Sequence, residues 1–369
     1  MADFIIAKIL EKVEDPRIER NKLYPLEEVL LVAFATILSG GETYPDMKEF
    51  GESKLEFFKK VYPFENGVAS VDVFERVFKL LSPKSFENIL TEWSGSLREQ
   101  ETYRTISIDG KTLRRSGSKG RKPLHMLSAW ANSNKLILGC KSVDEKSNEI
   151  KAIPEILKLL ALKNATVTLD AMGCQVEIAQ QIVDQKGDFA ISLKGNQGNL
   201  HDDVRIFFET EMPKKKNSIM YHQTIDKDHG RIEKRLYGLC SDVAWLRKLH
   251  PQWAIIKSIG FVQSTRTEKQ KKATETRFYI VSYKNDIMRF AQDVRGHWGI
   301  ENSLHWFLDV TFREDQSRVR DRNAAANLAI LRRLAISKYE QDKTPKRSRR
   351  RKRLLAGWSD DYLQMLLLS

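Results

Sequence analysis

The region that most constrains the fold is residues 102–194, where strand-like and helix-like segments alternate. Its first segment, TYRTISIDG, alternates polar and apolar residues and ends at a glycine, which predicts a strand with Asp109 at its carboxyl end. A later segment, ATVTLD at residues 165–170, predicts a strand that also ends on an acid, Asp170. Strands joined through a helix run parallel and bring their carboxyl ends to one edge of the sheet, so the two aspartates are expected to lie side by side.

The other segments of this region predict the rest of a mixed sheet. Two strands, residues 124–131 and 135–143, are separated by the turn-forming Asn132-Ser133-Asn134, so together with the first strand they predict an antiparallel meander. Helices are expected at residues 149–160 and 175–186, and a last strand at residues 188–194. The pattern as a whole predicts an α/β fold.

Two aspartates at neighbouring strand ends predict a metal site. Adjacent carboxylates repel each other and raise each other's pKa unless a cation lies between them. Magnesium and manganese prefer carboxylate and water oxygens, so either ion would relieve this repulsion. The alternative is that Asp109 and Asp170 each cap the turn or helix that follows, which is a common role of acids at strand ends.

A third acid lies in residues 297–318, HWGIENSLHWFLDVTFREDQSR. His297, Glu301 and His305 recur every four residues, which predicts that they share one face of a helix. Large apolar side chains surround them, and a carboxylate among such side chains is unfavourable unless it is paired, protonated or bound to a metal. The alternatives are a buried ion pair, a surface acid beside a histidine, or a zinc site made of these three residues.

Residues 1–98 predict a helical domain. The apolar run at residues 26–38 is long enough for a buried helix, and Gly40-Gly41 ends it. Further helices are expected at residues 44–50, 55–61 and 70–80, the last with Ser70 as its N-cap, and from Pro83 towards Glu101.

Residues 197–284 predict an insertion that is rich in strands. A helix is expected at residues 197–212, and strands at residues 219–225, 231–238, 253–258 and 274–283 would pair into a small sheet of their own. HGRIEKR, residues 229–235, offers candidate phosphate contacts in a turn and strand. RTEKQKK, residues 266–272, is expected to form a solvated loop.

The C-terminal part predicts helix again. Residues 320–340 have the pattern of an amphipathic helix, and residues 355–368 are apolar enough to dock back onto the protein. Between them, KTPKRSRRRKR at residues 343–353 indicates either a disordered solvated segment or a nucleic-acid-binding arm. The overall charge favours the arm.

Charge and cysteine content narrow the class of protein. The 62 Lys and Arg residues exceed the 49 Asp and Glu residues by 13, which favours a polyanionic partner. The three cysteines include no close pair, which argues against a disulfide framework and a cysteine-rich zinc site. We find no apolar run as long as a membrane span and no basic amphipathic helix for a membrane surface. The first residues lack a basic region before their short apolar run and carry acids soon after it, so we expect no signal peptide and a cytoplasmic protein.

Several motifs in one order resemble the insertion-sequence transposase family that includes the H-repeat-associated proteins. They are DGKTLRRS from Asp109, LDAMGCQ from Leu169, LKGNQ from Leu193, HGRIE from His229, and the segment at residues 297–318. DPRIERNKLYPL at residues 15–26 and RKRLLAGWSDDYL at residues 351–363 are similar to that family too. The resemblance therefore covers essentially the whole chain.

The resemblance implies a ribonuclease-H-like catalytic core with a β-rich insertion before its last acid. The implied division is a helical N-terminal domain at residues 1–98, a catalytic domain at residues 99–340 with its insertion at about 197–284, and a basic tail at residues 341–369. Asp109, Asp170 and Glu301 would be the catalytic, metal-binding acids. Two magnesium or manganese ions, roughly 3.5 to 4 Å apart, would activate water and stabilise the leaving 3′ oxygen. The 3′ hydroxyl would then attack target DNA.

The basic residues around the third acid depart from the pattern of related transposases, which often have Tyr, Arg, Glu and Lys at fixed spacing. Here the Tyr position falls at Val294, the Arg position at His297 and the Lys position at Leu308. Asp309 or Glu314 is an alternative third acid, although neither lies on the face predicted for the two histidines. The expected DNA contacts are Lys111, Arg114, Arg115, Lys194, His229, Arg231, His297, Arg313 and Arg318.

The partner that the resemblance implies is double-stranded DNA, both the element ends and the target, held by a homo-oligomer. Basic contacts to phosphates would make the affinity fall with salt. The helical N-terminal domain is expected to recognise the ends, so that deleting residues 1–95 removes end-specific binding. The alternatives are a domesticated DNA-binding protein, a zinc-dependent hydrolase using His297, Glu301 and His305, and a nuclease that cuts without joining.

Overall fold

One large sheet organises the molecule. The structure, a computed structural model, describes residues 10–98, 105–143, 149–213, 218–228, 231–268, 271–342 and 347–368. The strands in these ranges are β1 (Thr105–Thr112), β2 (His125–Ala131), β3 (Leu136–Val143), β4 (Thr166–Leu169), β5 (Asp188–Leu193), β6 (Ile219–Asp228), β7 (Arg231–Cys240), β8 (Ser258–Glu268) and β9 (Lys271–Val281). These nine described strands form a single sheet in the order β3-β2-β1-β4-β5-β9-β8-β7-β6.

Helices cover this sheet. Those of the N-terminal part are α1 (Leu26–Ser39), α2 (Tyr44–Ser53), α3 (Leu55–Phe58), α4 (Val71–Leu80) and α5 (Pro83–Arg98). Those between strands are α6 (Glu149–Lys158), α7 (Val176–Asp184), α8 (Asn199–Glu211) and α9 (Ala244–Leu249). Those after β9 are α10 (Ile287–Gly299), α11 (Trp306–Val310), α12 (Arg322–Gln341), α13 (Arg349–Trp358) and α14 (Asp360–Leu368). The predicted α/β class is confirmed.

The strand directions follow the sequence pattern in the half of the sheet that holds the predicted acids. β1 pairs antiparallel with β2, and β2 with β3, whereas β1, β4 and β5 run parallel to one another. The meander and the two parallel crossovers are therefore both confirmed. Parallel strands need cover on both faces, and helices supply it here.

The helix ends in the N-terminal part have local causes that are visible in the sequence. Gly40 takes a left-handed conformation, with φ at 112°, which ends α1 because side-chain-bearing residues rarely adopt it. Ser70 accepts a hydrogen bond from the Val73 backbone N–H and begins α4, as predicted. The residues between Arg98 and Thr105, towards which the last predicted helix was drawn, lie outside the described ranges.

The strand-rich insertion does not form a sheet of its own, contrary to the prediction. β9 pairs antiparallel with β5, so the four insertion strands extend the central sheet. Residues 253–258 were predicted as a strand, but Trp253 ends a short 3-10 turn that begins at Pro251, residues 254–257 are irregular, and β8 begins only at Ser258. Most of the predicted loop at residues 266–272 also belongs to β8 and β9.

Three clusters of buried apolar residues hold the layers together. The largest joins the N-terminal helices to α12 and α14 and to one face of β2 and β3, with Phe34 and Trp130 among its buried members. A second packs α6, α7 and α8 on the opposite face of the parallel strands, and a third packs α10 on the insertion strands. Fully burying one large apolar side chain contributes about 1.5 to 3 kcal/mol.

The basic tail is a packed helix in its described part, not the predicted arm. Residues 343–346 lie outside the described ranges, but Lys352 and Arg353 of α13 are only 8% and 6% exposed. Arg353 donates to the backbone carbonyls of Gly41 and Ile37, where α1 ends. α14 docks through Leu363, Leu366 and Leu367, as predicted. None of the described helices is long and apolar enough to cross a membrane.

Candidate active site

The register of two parallel strands brings Asp109 and Asp170 together. Ile108 of β1 pairs with Leu169 of β4, and each aspartate is the next residue of its chain. Neighbouring strands lie about 4.8 Å apart, so the two backbones are adjacent at this edge. The strand-helix-strand pattern predicted that Asp109 and Asp170 lie side by side, and the strand register confirms this.

Asp170 also serves as a cap, so the alternative role proposed for it is real. Its Oδ1 atom accepts from the backbone N–H groups of Met172, at 3.0 Å, and Gly173, at 3.3 Å. The 3-10 turn after β5, Gly195–Gln197, supports this cap, because Asn196 donates to the carbonyl of Ala171 at 2.7 Å. Capping through Oδ1 orients the carboxylate and leaves Oδ2 for another partner. The LKGNQ motif is explained in part by this brace.

Asp109 lies in an electrostatic environment that disfavours its charge. Burial, together with the carboxylates of Asp170, Glu149 and Glu301, raises the pKa of Asp109 to about 7, against one favourable hydrogen bond from Gly110. The Nδ1 atom of His305 lies 3.7 Å from Asp109 Oδ2. A cation would relieve this accumulation of negative charge.

Glu301 approaches the aspartates from a helix with an irregular turn. α10 continues without a break into a π turn at Ile300–His305 and then into α11. π turns inside α-helices are rare and often mark functional sites. The prediction that His297, Glu301 and His305 share one face assumed α-helical geometry; in the structure Glu301 is exposed, whereas His305 is buried.

The basic tail supports this π turn. Arg349 of α13 donates from Nη1 to the carbonyl of Ser303 at 2.6 Å, and its guanidinium lies 5.1 Å from the centre of the Phe307 ring. A carbonyl inside a π turn lacks its regular α-helical partner, so a side-chain donor is favourable there. Arg349 and Ser303 are 46 residues apart in the chain, so no local sequence pattern predicts this contact.

Hydroxyl groups tie the helix to the strands. His297 Nδ1 lies 3.1 Å from Thr168 Oγ1, and Thr168 donates its hydroxyl proton to Ser107 Oγ at 3.0 Å. Thr168 therefore accepts from an Nδ1–H group, which leaves Nε2 of His297 as an acceptor. Burial lowers the pKa of His297 to about 4, with Asp170 opposing the shift. His297 is thus neutral near pH 7.

Glycines allow the close packing around the acids. A Cβ atom on Gly299 would lie 2.8 Å from Asn132 Oδ1, and one on Gly110 would overlap the side chains of His125 and Glu149. Such approaches are shorter than Cβ atoms tolerate. The DGK and HWGIE motifs therefore contain glycine where the helix crosses the β2–β3 turn and where a buried histidine and glutamate cover β1.

The zinc alternative lacks structural support. Glu301 is exposed on the π turn, whereas His305 is buried, so the two residues do not present their side chains to one site. Across the residues that the structure describes, no group of three His, Cys, Asp or Glu side chains is already arranged to hold a metal ion. This applies equally to the three acids, so metal binding there requires side-chain movement of Glu301 or the aspartates.

Lys111 is corrected from a DNA contact to a structural residue. It is 7% exposed, and its Nζ atom lies 2.8 Å from Asp309, 2.9 Å from Asp315 and 3.4 Å from Glu314. Glu314 is fully buried and lies 3.0 Å from Arg333. Asp309 and Glu314, the alternative third acids, are therefore both engaged by cations.

A cation near Glu301 comes from the insertion, and the sequence analysis missed it. Arg277 of β9 donates to Glu275 at 2.8 Å, and its Cζ atom lies 4.5 Å from the centre of the Trp298 ring. Burial lowers the pKa of Arg277, but the carboxylates of Glu275 and Glu301 outweigh burial and the net shift is upward. Arg277 comes close to Glu301 only because β9 pairs with β5, which is a long-range contact. No local sequence motif predicts it.

The other predicted DNA contacts are dispersed over the surface. Arg114, Arg115, Lys194, Arg313 and Arg318 are exposed, and Arg114 lies 3.0 Å from Asp315. Arg231 is the first residue of β7, and His229 lies outside the described residues. Leu308, at the position where related enzymes have lysine, is a fully buried core residue.

Comparison with protein families identifies the class. A family model described as a transposase DDE domain matches residues 100–337, and one described as DDE_Tnp_1-associated matches residues 7–94. The matched core holds all three acids. The protein is therefore a DDE-type transposase.

Individual relatives narrow this class. The chain is 37% identical over 353 residues to the H repeat-associated putative transposase YhhI of Escherichia coli (strain K12), covering 93% of this chain and 92% of that protein. It is 35% identical over 362 residues to the putative transposase YncI of Escherichia coli O157:H7, covering 97% and 93%. The chain belongs to the H-repeat-associated family of DDE transposases.

A solved structure gives a more distant match. The piggyBac transposase synaptic complex with hairpin DNA aligns with a TM-score of 0.41 and 11% identity, over 99% of this chain and 78% of that chain. A similarity at this level supports no inference about fold or function.

Proposed function

We propose that this enzyme cleaves phosphodiester bonds at the ends of a bacterial insertion sequence and joins the resulting 3′ hydroxyl to target DNA. In this proposal Asp109, Asp170 and Glu301 are its catalytic acids on a ribonuclease-H-like core. The observation that carries the proposal is the register of β1 and β4, which sets the two aspartates side by side below the helix of Glu301. Burial and the neighbouring carboxylates of Asp170 and Glu301 raise the pKa of Asp109, so a cation bound among these acids would be favourable.

The donor set fits hard divalent ions, because it consists of carboxylate oxygens. Magnesium or manganese, two ions in our proposal, would supply Lewis acidity and lower the pKa of a bound water when held by the three carboxylates. The cap bonds to Asp170 hold one carboxylate rigid. Glu301, exposed on its π turn, is the acid with room to move towards the other two.

His297 and Arg277 take different supporting roles in this proposal. A neutral His297 presents Nε2 as an acceptor, and in this state we propose that it orients a water or the 3′ hydroxyl. Its predicted contact to a DNA phosphate would require the protonated ring and stays a prediction. Arg277 supplies the positive charge that related enzymes carry on the helix of the third acid. Its guanidinium is held by Glu275 and Trp298, which limits its conformations.

DNA is the proposed partner, and the exposed residues Arg114, Arg115, Lys194, Arg313 and Arg318 are the proposed backbone contacts. Assembly of two or more copies on paired ends, end recognition by the N-terminal helices, and a cytoplasmic location stay predictions. The net charge of +13 supports a polyanionic partner.

The decisive experiment uses duplex DNA that carries the gene's native flanking sequences, with magnesium or manganese. Wild type is expected to nick at the element ends and to yield joined products, and Asp109→Asn and Glu301→Gln are expected to do neither. Binding without cutting by wild type would move the function to a domesticated DNA-binding protein. Cutting without joined products would leave a nuclease.

A second experiment isolates Arg277. Arg277→Gln is expected to lower the cleavage rate by about 10- to 100-fold with little change in DNA affinity, because charge at the reacting phosphate acts on the transition state. Arg295→Gln is the control, since Arg295 is an arginine of α10 that lies 3.7 Å from Asp226. Equal rates for the two variants would remove Arg277 from the site.

A further inference from the structure

A cleft of about 790 Å³ separates the N-terminal helices from the segment that follows the helix of Glu301. Its walls are formed by α2 and α4 on one side, by residues 312–321 on the other, and by α12 at its base. We call it the Arg332 cleft, after the α12 residue that lines its inner wall. It contains none of the three proposed catalytic acids.

Arg332 is a buried cation on the inner wall of this cleft. The residue is 3% exposed, and its guanidinium forms no hydrogen bond or ion pair with the residues that the structure describes. Glu314 and Glu42 act on it only at longer range, and burial lowers its pKa. A buried guanidinium has five donors and is unfavourable unless an anion engages it.

Tyr44 presents a second unsatisfied group in the same wall. It begins α2, is 9% exposed, and its hydroxyl is buried with no hydrogen-bond partner among the described residues. Tyr44 and Arg332 both line this cleft. A phosphate oxygen could accept from both at once.

The rim of the cleft is basic. Arg318 and Arg320 are exposed on the segment that forms one wall. Three acids also line the cleft: Glu42 lies 3.6 Å from Arg353, Glu75 lies 2.6 Å from Lys79, and Asp321 caps α12 by accepting from Ala324 at 3.0 Å. The lining cations, which are Lys79, Arg313, Arg318, Arg320 and Arg332, outnumber these acids, so the net charge of the lining is positive.

We propose that the Arg332 cleft binds a backbone phosphate of the DNA substrate, with Arg332 and Tyr44 at its base and Arg318 and Arg320 at its rim. The proposal rests on the proposed function, because it takes DNA as the substrate. The cleft joins the N-terminal helices to the segment that continues from the catalytic helix. A bound phosphate would thus link end recognition to the site of cutting.

The test measures binding of a fluorescently labelled duplex from the gene's flank to the full-length protein, in EDTA and at several salt concentrations. Arg332→Lys keeps the charge but loses the planar fork, and we expect an affinity loss of about tenfold. The double variant Arg318→Gln/Arg320→Gln leaves the base of the cleft intact and is expected to flatten the slope of log affinity against log salt by about 1 or 2. Arg351→Gln, an exposed arginine of α13 outside the cleft, is the control and should match wild type.

Single neutral methylphosphonate linkages locate the phosphate. One linkage is expected to weaken wild-type binding and to leave Arg332→Lys binding unchanged, because the contact is already lost. Equal affinity and equal salt slope in wild type and both cleft variants would overturn the proposal. If Arg332→Lys does not fold, the rim variant decides, since its two residues are exposed.

Further arms separate this proposal from other outcomes. Inorganic phosphate or a nucleoside monophosphate that raises the Tm of wild type but not of Arg332→Lys, with DNA affinity unchanged between them, would make the cleft a small-phosphate site and overturn the proposal. If wild type cleaves the DNA but the cleft variants bind it as wild type does, the cleft proposal is overturned and the proposed function stands. Cleft effects on binding without any metal-dependent cleavage overturn the proposed function alone.

Discussion

Two groups of acids border the same face of β1 and differ in how their charge is balanced. Asp109 and Lys111 lie two residues apart on this strand and point to the same face. Around Asp109, the carboxylates of Asp170 and Glu301 add to burial and raise its pKa to about 7. Around Lys111, burial acts to raise the pKa of Glu314, but the cations Arg333 and Lys111 outweigh it and the pKa is lowered.

The difference separates a structural network from a binding centre. In the Lys111 group, the side chains of Lys111 and Arg333 balance the carboxylates of Asp309, Glu314 and Asp315. These ion pairs anchor the segment after α11 to the sheet and need no ligand. Among the described residues, no Lys or Arg forms an ion pair with Asp109 or Asp170, and the cation nearby, Arg277, acts on Glu301. The two aspartates therefore lack a balancing charge that a bound cation would supply. Substitutions in the two groups should therefore have opposite consequences.

The largest expected effect is the loss of cleavage on neutralising the unbalanced group. Asp109→Asn or Glu301→Gln should lower metal-dependent cleavage by about three orders of magnitude or more, because each removes a metal ligand. The Tm without metal should stay equal or rise, since a repulsion is removed. The cleavage assay measures the first effect and calorimetry the second. A strongly lowered Tm in either variant would show that these acids stabilise the metal-free protein, contrary to the comparison of the two groups.

The balanced group should respond in stability. Glu314→Gln leaves Arg333 and Lys111 buried with less opposite charge, and we expect a loss of about 3 to 5 kcal/mol in the free energy of unfolding. Urea unfolding measures it. A loss below about 1 kcal/mol would mean that this network is not structural.

Metal binding should stabilise only through the unbalanced group. Magnesium or manganese at about 100 times its Kd should raise the free energy of unfolding by about 2.7 kcal/mol in wild type. Asp109→Asn should show little of this gain, whereas Glu314→Gln, if folded, should keep it. A gain of equal size in Asp109→Asn would place the metal elsewhere.

The metal-free protein should lose stability as pH rises. The pKa of Asp109 is about 7 in the folded protein against 3.8 for an unperturbed aspartate, so between these values the folded state binds more protons than the unfolded state. The stabilising contribution is full below about pH 4 and is lost as pH rises through about 7. Asp109→Asn should flatten the profile measured by urea unfolding, and an unchanged profile would argue against this assignment.

The smallest effect is expected at the exposed edge of the balanced group. Arg114 pairs with Asp315 at 3.0 Å, but its side chain is 79% exposed. Arg114→Gln should change the free energy of unfolding by less than about 1 kcal/mol, because water screens the pair. A larger change would show that Arg114 belongs to the buried network.

Several parts of the site were predictable because they depend on local pattern. Alternation of apolar residues and a final acid mark β1 and β4, and a right-handed crossover is the common way to join them. The position of Asp109 beside Asp170 follows from these two facts. The Ser70 cap and the Gly40 stop are likewise local, since side-chain oxygens and glycine act within a few residues.

Other parts were wrongly predicted because charge alone does not reveal its partner. Lys111 and the described part of the basic tail were assigned to DNA, but they engage buried carboxylates and helix carbonyls. The insertion was given a separate sheet because strand pattern specifies a strand and not its neighbour. The face shared by the two histidines assumed a regular helix, and the π turn breaks that regularity.

The sequence by itself determined most of the strands and helices, where many of them end, and that two acids meet at one edge of a parallel sheet. Each of these follows from side-chain periodicity, capping and chain connectivity. Only the tertiary structure decided that Arg277 approaches Glu301, that Arg349 supports the π turn, and that Arg332 lines a cleft. Such contacts join residues far apart in the chain, and long-range packing alone selects them.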